Sequence, residues 1–366
     1  MRLAYLVAWD FSKESGVSTK IFAQCEFFKK ALIETTIFCI SKNPPSYKFI
    51  PQGVNIVHLK TTWFNFPFIF YLVYQRIKEY KPDCIYIRSL LLKPGILKIF
   101  DLAPSIYEFN TNESMELRVL SQRSLKDFIK FIYHHFSYKF YLKRLTGLVT
   151  VTNELYQIYK RSFLKIPIIV VPNSIDLSKY EMIEDERVDH EINLLFMGSE
   201  AQPWQGVDIL SKLALNVPNN FVIHVIGYTA DEESPNNLKF YGYLEKEEYK
   251  KIVAKCDIGI GTMALYRKNM NEACPLKVRE YLAYGMPCII AYTDTAFIDN
   301  LPEWILQIPN TEDGIIEMKD DLINFCLRMK GRRLTHEEVA PYIDSSIIEK
   351  KRIEFFKSFS NVDVAS

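Results

Sequence analysis

The sequence predicts an α/β protein made of two doubly wound domains facing each other across a cleft. Three observations carry that expectation. At 366 residues the chain is longer than one hydrophobic core ordinarily supports. Short β-like runs alternate with amphipathic helical runs, the pattern of βαβ units on a parallel sheet. The alternation pauses near residue 172 and restarts at INLLFMG, so the unit occurs twice.

In the first half, MRLAYLVAW reads as a strand and TKIFAQCEFFKKAL as a helix with an apolar stripe. TTIFCIS and NIVHLK follow as strands, FIFYLVYQRIKEY as a helix, and CIYIRS and PSIYEF as strands. A long helical region is predicted from about 113 to 145, then the strand LVTVT. After the connecting IIVVPNSIDLSKY, the strand INLLFMG leads to the helix QGVDILSKLAL and the strand FVIHVIG. A short LKFYGY, the helix EEYKKIVAK, the strand IGIGT, the helix PLKVREYLAYG and the strand CIIAY complete the second half. The expected domains are 1–171 and 172–345. The C-terminal helix, about 346–360, could pack on either and is expected to return to the first.

Composition narrows the function. Apolar residues make up 48% and charged ones 24%, as in a globular protein. The apolar run WFNFPFIFYLVY is broken by Asn65 and Pro67 and cannot span a bilayer. Seven scattered cysteines without a CxxC suggest reduced thiols and a cytoplasmic setting. The net charge of +1 hides an asymmetry. Residues 1–171 hold 24 Lys and Arg against 12 Asp and Glu, so +12, which leaves −11 for the rest. A basic half implies a polyanion or an anionic membrane surface; nucleic acid is not expected. GxSxG and GKS/GKT are absent, which excludes the serine-hydrolase and P-loop readings. His134 and His135, being adjacent, make no metal pair on a helix and read as surface or interface residues. No metal and no cofactor are expected.

The chemistry concentrates in NEACPLKVREYLAYGMPCII, residues 271–290. Pro275 suits the first turn of a helix, where its missing N–H has no partner. Gly285 fits a left-handed cap and Pro287 blocks continuation. Glu272 then lies in the loop before the helix and Glu280 early within it. Free N–H groups around Leu276 and Lys277 would offer phosphate the positive end of the helix, and a carboxylate one turn on can accept two vicinal hydroxyls. On the residues alone two readings stand: a nucleotide-sugar reader, or a Glu280 that only complements the helix dipole with Glu272 as loop surface.

The same stretch resembles the E-x7-E region of glycosyltransferase family 4, here as E-ACPLKVR-EYLAYGMPCII. Members have the two-domain GT-B fold, as in glycogen synthases and phosphatidylinositol mannosyltransferases. Further likenesses follow in order: SGVSTKI to the N-domain glycine loop, GLVTVTNEL to a late N-domain strand, and VVPNSIDLSKY to the inter-domain segment. LLFMGS with QGVDIL resembles the first strand and helix of the donor domain, and LKFYGYLEKEEYKKIVAKCDIGI its segment marked by Gly242 and Asp257. The resemblance implies a donor-binding C-terminal domain and an acceptor-binding N-terminal one. Glu280 would bind the donor ribose, Leu276 and Lys277 the diphosphate, and Glu272 the transferred sugar. Tyr243 would lie near the base, and Gly16 would let its loop approach the phosphates. Gly198, Ser199 and Gln205 in the first loop, with Ala273, Cys274 and Pro275 before the helix, complete the implied donor site. Catalysis would rest on Glu272, Lys277 and Glu280.

One departure bears on the leaving group. Family members often have an Arg after the first donor-domain strand and a Lys just before the next glycine, whereas this chain reads GSEAQPWQG from Gly198 to Gly206. Lys277 is expected to replace those cations, helped by Arg279 or the helix N-terminus. Trp204 reads as a packing aromatic or as a platform for base or sugar. In YEFNTNE, residues 107–113, Glu108 and Asn110 follow a short strand and are candidates for a sugar or acceptor contact.

The expected function is therefore a metal-independent, retaining transfer of a sugar from a nucleoside diphosphate to a glycan acceptor, in bacterial surface polysaccharide synthesis. The alternative is a nucleotide-sugar-binding subunit that supports a partner protein. A basic amphipathic stretch from 118 to 144 points to an anionic membrane surface. Lys126, Lys130 and His134 would lie on one face, and Phe128, Ile132 and Phe136 on another. The resemblance extends this to a lipid-diphosphate-linked acceptor and a peripheral place at the inner face of the cytoplasmic membrane.

Overall fold

The computed structural model describes residues 1–62, 68–88, 94–162, 165–181, 190–200, 202–230 and 234–360. Asn65, Pro67 and Ala201 lie outside them. The chain forms two compact units, Met1–Pro172 together with the segment from Ile348 onward, and Asn173–Ile347.

The first unit runs β1 (Arg2–Val7), α1 (Gly16–Lys30), β2 (Glu34–Ser41), β3 (Asn55–Lys60), α2 (Ile69–Tyr80), β4 (Cys84–Arg88) and α3 (Leu97–Phe100). It continues with β5 (Ser105–Phe109), α4 (Glu113–Leu120), α5 (Leu125–Leu142), β6 (Gly147–Thr150), α6 (Asn153–Ser162) and β7 (Ile168–Val170). Its seven described strands lie parallel in the order β3-β2-β1-β4-β5-β6-β7. The central strands are buried on both faces and so read as continuous apolar runs. The helical region expected over 113–145 is two helices. Ser124, in extended backbone, accepts from the Asp127 N–H and starts α5 afresh.

The second unit runs β8 (Ile192–Met197), α7 (Val207–Ala214), β9 (Phe221–Ile226), β10 (Leu238–Phe240), α8 (Lys246–Val253), β11 (Ile258–Ile260), β12 (Glu272–Ala273) and α9 (Leu276–Ala283). Then come β13 (Cys288–Ile290), β14 (Thr293–Asp294), β15 (Ile305–Gln307), α10 (Gly314–Glu317), α11 (Lys319–Met329), α12 (His336–Ile343) and α13 (Ser345–Ser360). Its main sheet is parallel in the order β10-β9-β8-β11-β13-β15, and β12 pairs with β14 apart from it.

From Ile348 on, α13 belongs to the first unit. Phe356 packs edge-on against Phe28 of α1 and Tyr86 of β4, ring centres 5.4 and 4.8 Å away. Helix α5 buries His134, Tyr141 and Leu142. His134 is thus not a surface residue and not part of a basic face. Its Nε2 lies 3.0 Å from Ser114 Oγ, and burial, then His135, pull its pKa down to about 4.

Candidate functional site

Helix α9 sets the geometry of the second unit. Pro275 stands one residue earlier than expected, as the extended cap, and Leu276 opens the helix. Gly285, at φ +77°, turns the chain left-handed after it, and the Met286 N–H reaches back to the Tyr281 carbonyl at 2.9 Å. The first-turn N–H groups, including those of Leu276 and Lys277, have no partner within the helix. Glu280 sits one turn on, half-buried, with Oε1 accepting from the Tyr249 hydroxyl of α8 at 2.5 Å.

Lys277 lies three residues before Glu280 on the same helix. Its amine donates to Gln205 Oε1 at 2.5 Å and stands 3.8 Å from the centre of the Phe196 ring. Desolvation pulls its pKa well below the ordinary lysine value, and water reaching this half-buried side chain limits the pull. The amine thus reaches the Gln205 side chain from α9. Trp204 is buried, with the Lys268 amine 4.9 Å from its ring centre, and packs rather than facing solvent.

The ends of β8, β9 and β10 bring Gly198, Ser199 and Tyr243 to one edge. The Gly198 N–H donates to Ile226, the Gly227 N–H to the Gly242 carbonyl, and the Tyr228 hydroxyl to the Ser199 carbonyl. Gly227 is required there, since a Cβ would lie 2.0 Å from the Gly198 oxygen and φ is +91°. Tyr243, just beyond, is 64% exposed.

Glu272 and Ala273 form β12 rather than a loop, because β14 gives them a parallel partner. Glu272 is half-buried and Oε2 lies 3.4 Å from the Thr295 hydroxyl. Cys274 is buried, with Sγ 2.6 Å from the Arg279 guanidinium, so its side chain is structural. Arg279 cannot assist Lys277. It is fully buried and forked onto Asp294 at 2.6 and 2.9 Å, with Nε donating to the Asn173 carbonyl at 2.8 Å. This pair fixes the β12 to α9 corner from below.

In the first unit, Gly16 is exposed as the opening residue of α1, behind the Ser15 cap. Asn110 is half-buried and its Oδ1 lies 3.4 Å from the Lys20 amine. Glu108 corrects the sequence expectation. It is fully buried, 2.7 Å from Lys20, 3.2 Å from Arg352 and 3.6 Å from Arg88, so it offers no surface to a sugar or acceptor. Burial raises its pKa, but Lys20, Arg88 and Arg352 outweigh that and hold it well below the carboxylate range. Arg352 also pairs with Glu349 within α13 at 2.7 Å, and its bonds to the Tyr86 hydroxyl and to Glu108 tie α13 to β4 and β5.

Sequence reasoning missed Tyr249, Asn173, Asp294 and the cations around Glu108. Asn173 and Lys20 lie in the quoted VVPNSIDLSKY and SGVSTKI, yet each of these residues finds its partner elsewhere in the chain, beyond the reach of a local motif.

No family model and no curated protein matches the chain. Solved structures do. Sucrose-phosphate synthase from Thermosynechococcus elongatus superposes with a TM-score of 0.73 at 12% identity, over 98% of this chain and 99% of that one. A glycosyltransferase from Rickettsia africae gives 0.67 at 14% identity, over 99% of each chain. The chain has the GT-B fold. Anabaena HepE, solved in complex with UDP, is similar in the same way, at 0.63 and 11% identity over 98% of this chain and all of that one.

Proposed function

We propose that the protein is a glycosyltransferase of the family 4 type, moving a sugar from a nucleoside diphosphate to a glycan hydroxyl with retention and without a metal. One observation carries the reading. Glu280 and Lys277 project from the first two turns of α9, and Lys277 meets Gln205 where a diphosphate-binding lysine is usual. Glu280 takes the ribose, Lys277 and the α9 N–H groups take the charge that develops on the leaving diphosphate, and Glu272 faces the transferred sugar. A similar fold solved with UDP and with UDP-glucose supports a nucleotide-sugar donor. The acceptor is lipid-diphosphate-linked, in bacterial surface polysaccharide synthesis, and the protein works peripherally at the inner face of the cytoplasmic membrane. The charge of +12 on residues 1–171 supports that placement.

Gln205 at a position usually held by a cation favours the second reading, a donor-binding subunit without turnover. Thermal shift with UDP-, GDP-, ADP- and dTDP-sugars tests binding, since a ligand of the folded state raises its stability. Donor turnover with a mixed acceptor extract, with and without chelator, then separates enzyme from subunit. No shift with any donor would end both readings.

A further inference from the structure

Helix α5 turns a stripe of large apolar side chains away from the protein. Leu125, Phe136 and Phe140 are 76%, 77% and 61% exposed, and Phe128, Ile129 and Ile132 are exposed beside them. At about 100° per residue, these six fall within an arc of roughly 120°. His134, Tyr138 and Tyr141, which pack inward, lie on the opposite side of the helix. A helix on the outer layer of an α/β unit ordinarily turns polar residues to water, and an unpartnered apolar stripe of this size marks a surface that binds something apolar.

The charges identify the occupant. Lys126 flanks the stripe, while Lys139 and Lys143 stand within it, all three exposed. From 118 to 144 the chain carries seven Lys and Arg against Asp127 alone, and Asp127 is paired with Lys130 at 2.7 Å. Apolar side chains bordered by lysines match the boundary between acyl chains and anionic headgroups, where a lysine stem lies along the apolar layer and its amine reaches the headgroups. No helix of the described residues is long and apolar enough to cross a membrane.

We infer that α5 lies in the plane of an anionic bilayer with this stripe inserted among the acyl chains, so that attachment is apolar as well as electrostatic. The inference rests on the proposal that the protein works at a membrane surface. It refines the sequence expectation of a basic amphipathic helix on the membrane: His134 is buried rather than on the basic face, and the outward face is the apolar one.

Flotation with phosphatidylcholine vesicles, with and without phosphatidylglycerol, tests it on the full chain. Wild-type protein should float with the anionic vesicles, and a clear fraction should stay bound in salt that screens surface charge. Phe136→Ser/Phe140→Ser should lower vesicle partitioning at least about tenfold, with an unchanged melting temperature because both rings are exposed. Should the melting temperature fall, Phe136→Ala alone should still weaken partitioning. If the serine variant floats like wild type and salt releases everything, insertion is wrong and a purely electrostatic membrane attachment stands. If wild type floats with neither vesicle, insertion and membrane reading fail together. A wild-type dimer in light scattering that the serine variant lacks, with no flotation, would assign the stripe to a second copy of the chain and overturn the inference.

Discussion

The Tyr249 hydroxyl donates to Glu280 Oε1 at 2.5 Å, joining α8 to the residue proposed to read the ribose. Burial, then the Glu280 charge, raise the Tyr249 pKa, so the phenol keeps its proton and remains a donor. The carboxylate is therefore held in one orientation before a donor arrives. Glu280→Ala should weaken donor binding by roughly 1.5–3 kcal/mol, the scale of hydrogen bonds to a charged group. Tyr249→Phe, which keeps the ring and loosens only the orientation, should cost less, about 1 kcal/mol. Calorimetric titration checks both. Wild-type affinity in a folded Glu280 variant would remove this residue from the site.

Lys277 should act mainly in the transition state. Its amine is partly desolvated when no anion is near, and the diphosphate gains charge as the sugar leaves. Lys277→Ala should lower kcat on the order of a hundredfold or more while changing the donor Kd far less. Equal small changes in both would reduce Lys277 to a surface residue.

Acid should destabilise the fold between pH 6.5 and 4. His134 and His224 are buried, one in each unit, and burial first, then neighbouring positive groups, pull both pKa values from 6.5 to about 4. A depressed histidine leaves the unfolded chain binding more protons in that window, so stability is full above about 6.5 and falls as pH drops toward 4. Each shift corresponds to roughly 3 kcal/mol. His224 bridges Tyr241 and Asn193, both at 2.8 Å. His134→Gln should flatten the pH dependence of chemical denaturation at 5. An unaltered profile would show that His134 does not drive it.

Glu108 should prove a keystone of stability rather than a ligand contact. Glu108→Gln would leave Lys20, Arg88 and Arg352 facing a neutral amide in a buried site, at a cost of about 3–5 kcal/mol. Burial, then Arg88, pull the Lys20 pKa down to about 7 even with Glu108 charged beside it. A neutral amide removes that support, so in the variant Lys20 sheds its proton at lower pH still, and part of the loss should return as pH rises toward 7. Urea denaturation at pH 6 and 9 measures this. A loss below 1 kcal/mol at both would contradict it.

Much of the fold is written locally. Apolar runs of five or six residues flanked by turn residues gave β1, β4, β8 and β9 their places, and a period near 3.6 gave α1 and α7 theirs. Boundaries moved where a partner far along the chain intervened. Glu272 became strand only because Thr293 and Asp294 lie beside it. The candidate site was half legible: the order of Glu272, Pro275, Lys277, Glu280 and Gly285 marks a helix start with acids on both sides, a pattern contained in about fifteen residues.

The sequence by itself determined two α/β units, the helix that carries Lys277 and Glu280, and the opposite charges of the two halves, because periodicity, caps and composition are local properties. Tertiary structure alone decided that Glu108 is buried among three cations, that Arg279 belongs to Asp294, that Tyr249 holds Glu280, and that α5 turns its phenylalanines outward. Glu108 meets Arg352 across 244 residues and Tyr249 meets Glu280 across 31. Such pairings follow from how strands order in a sheet and which side of a helix the sheet covers, and an amphipathic pattern looks the same whichever of its faces the protein buries.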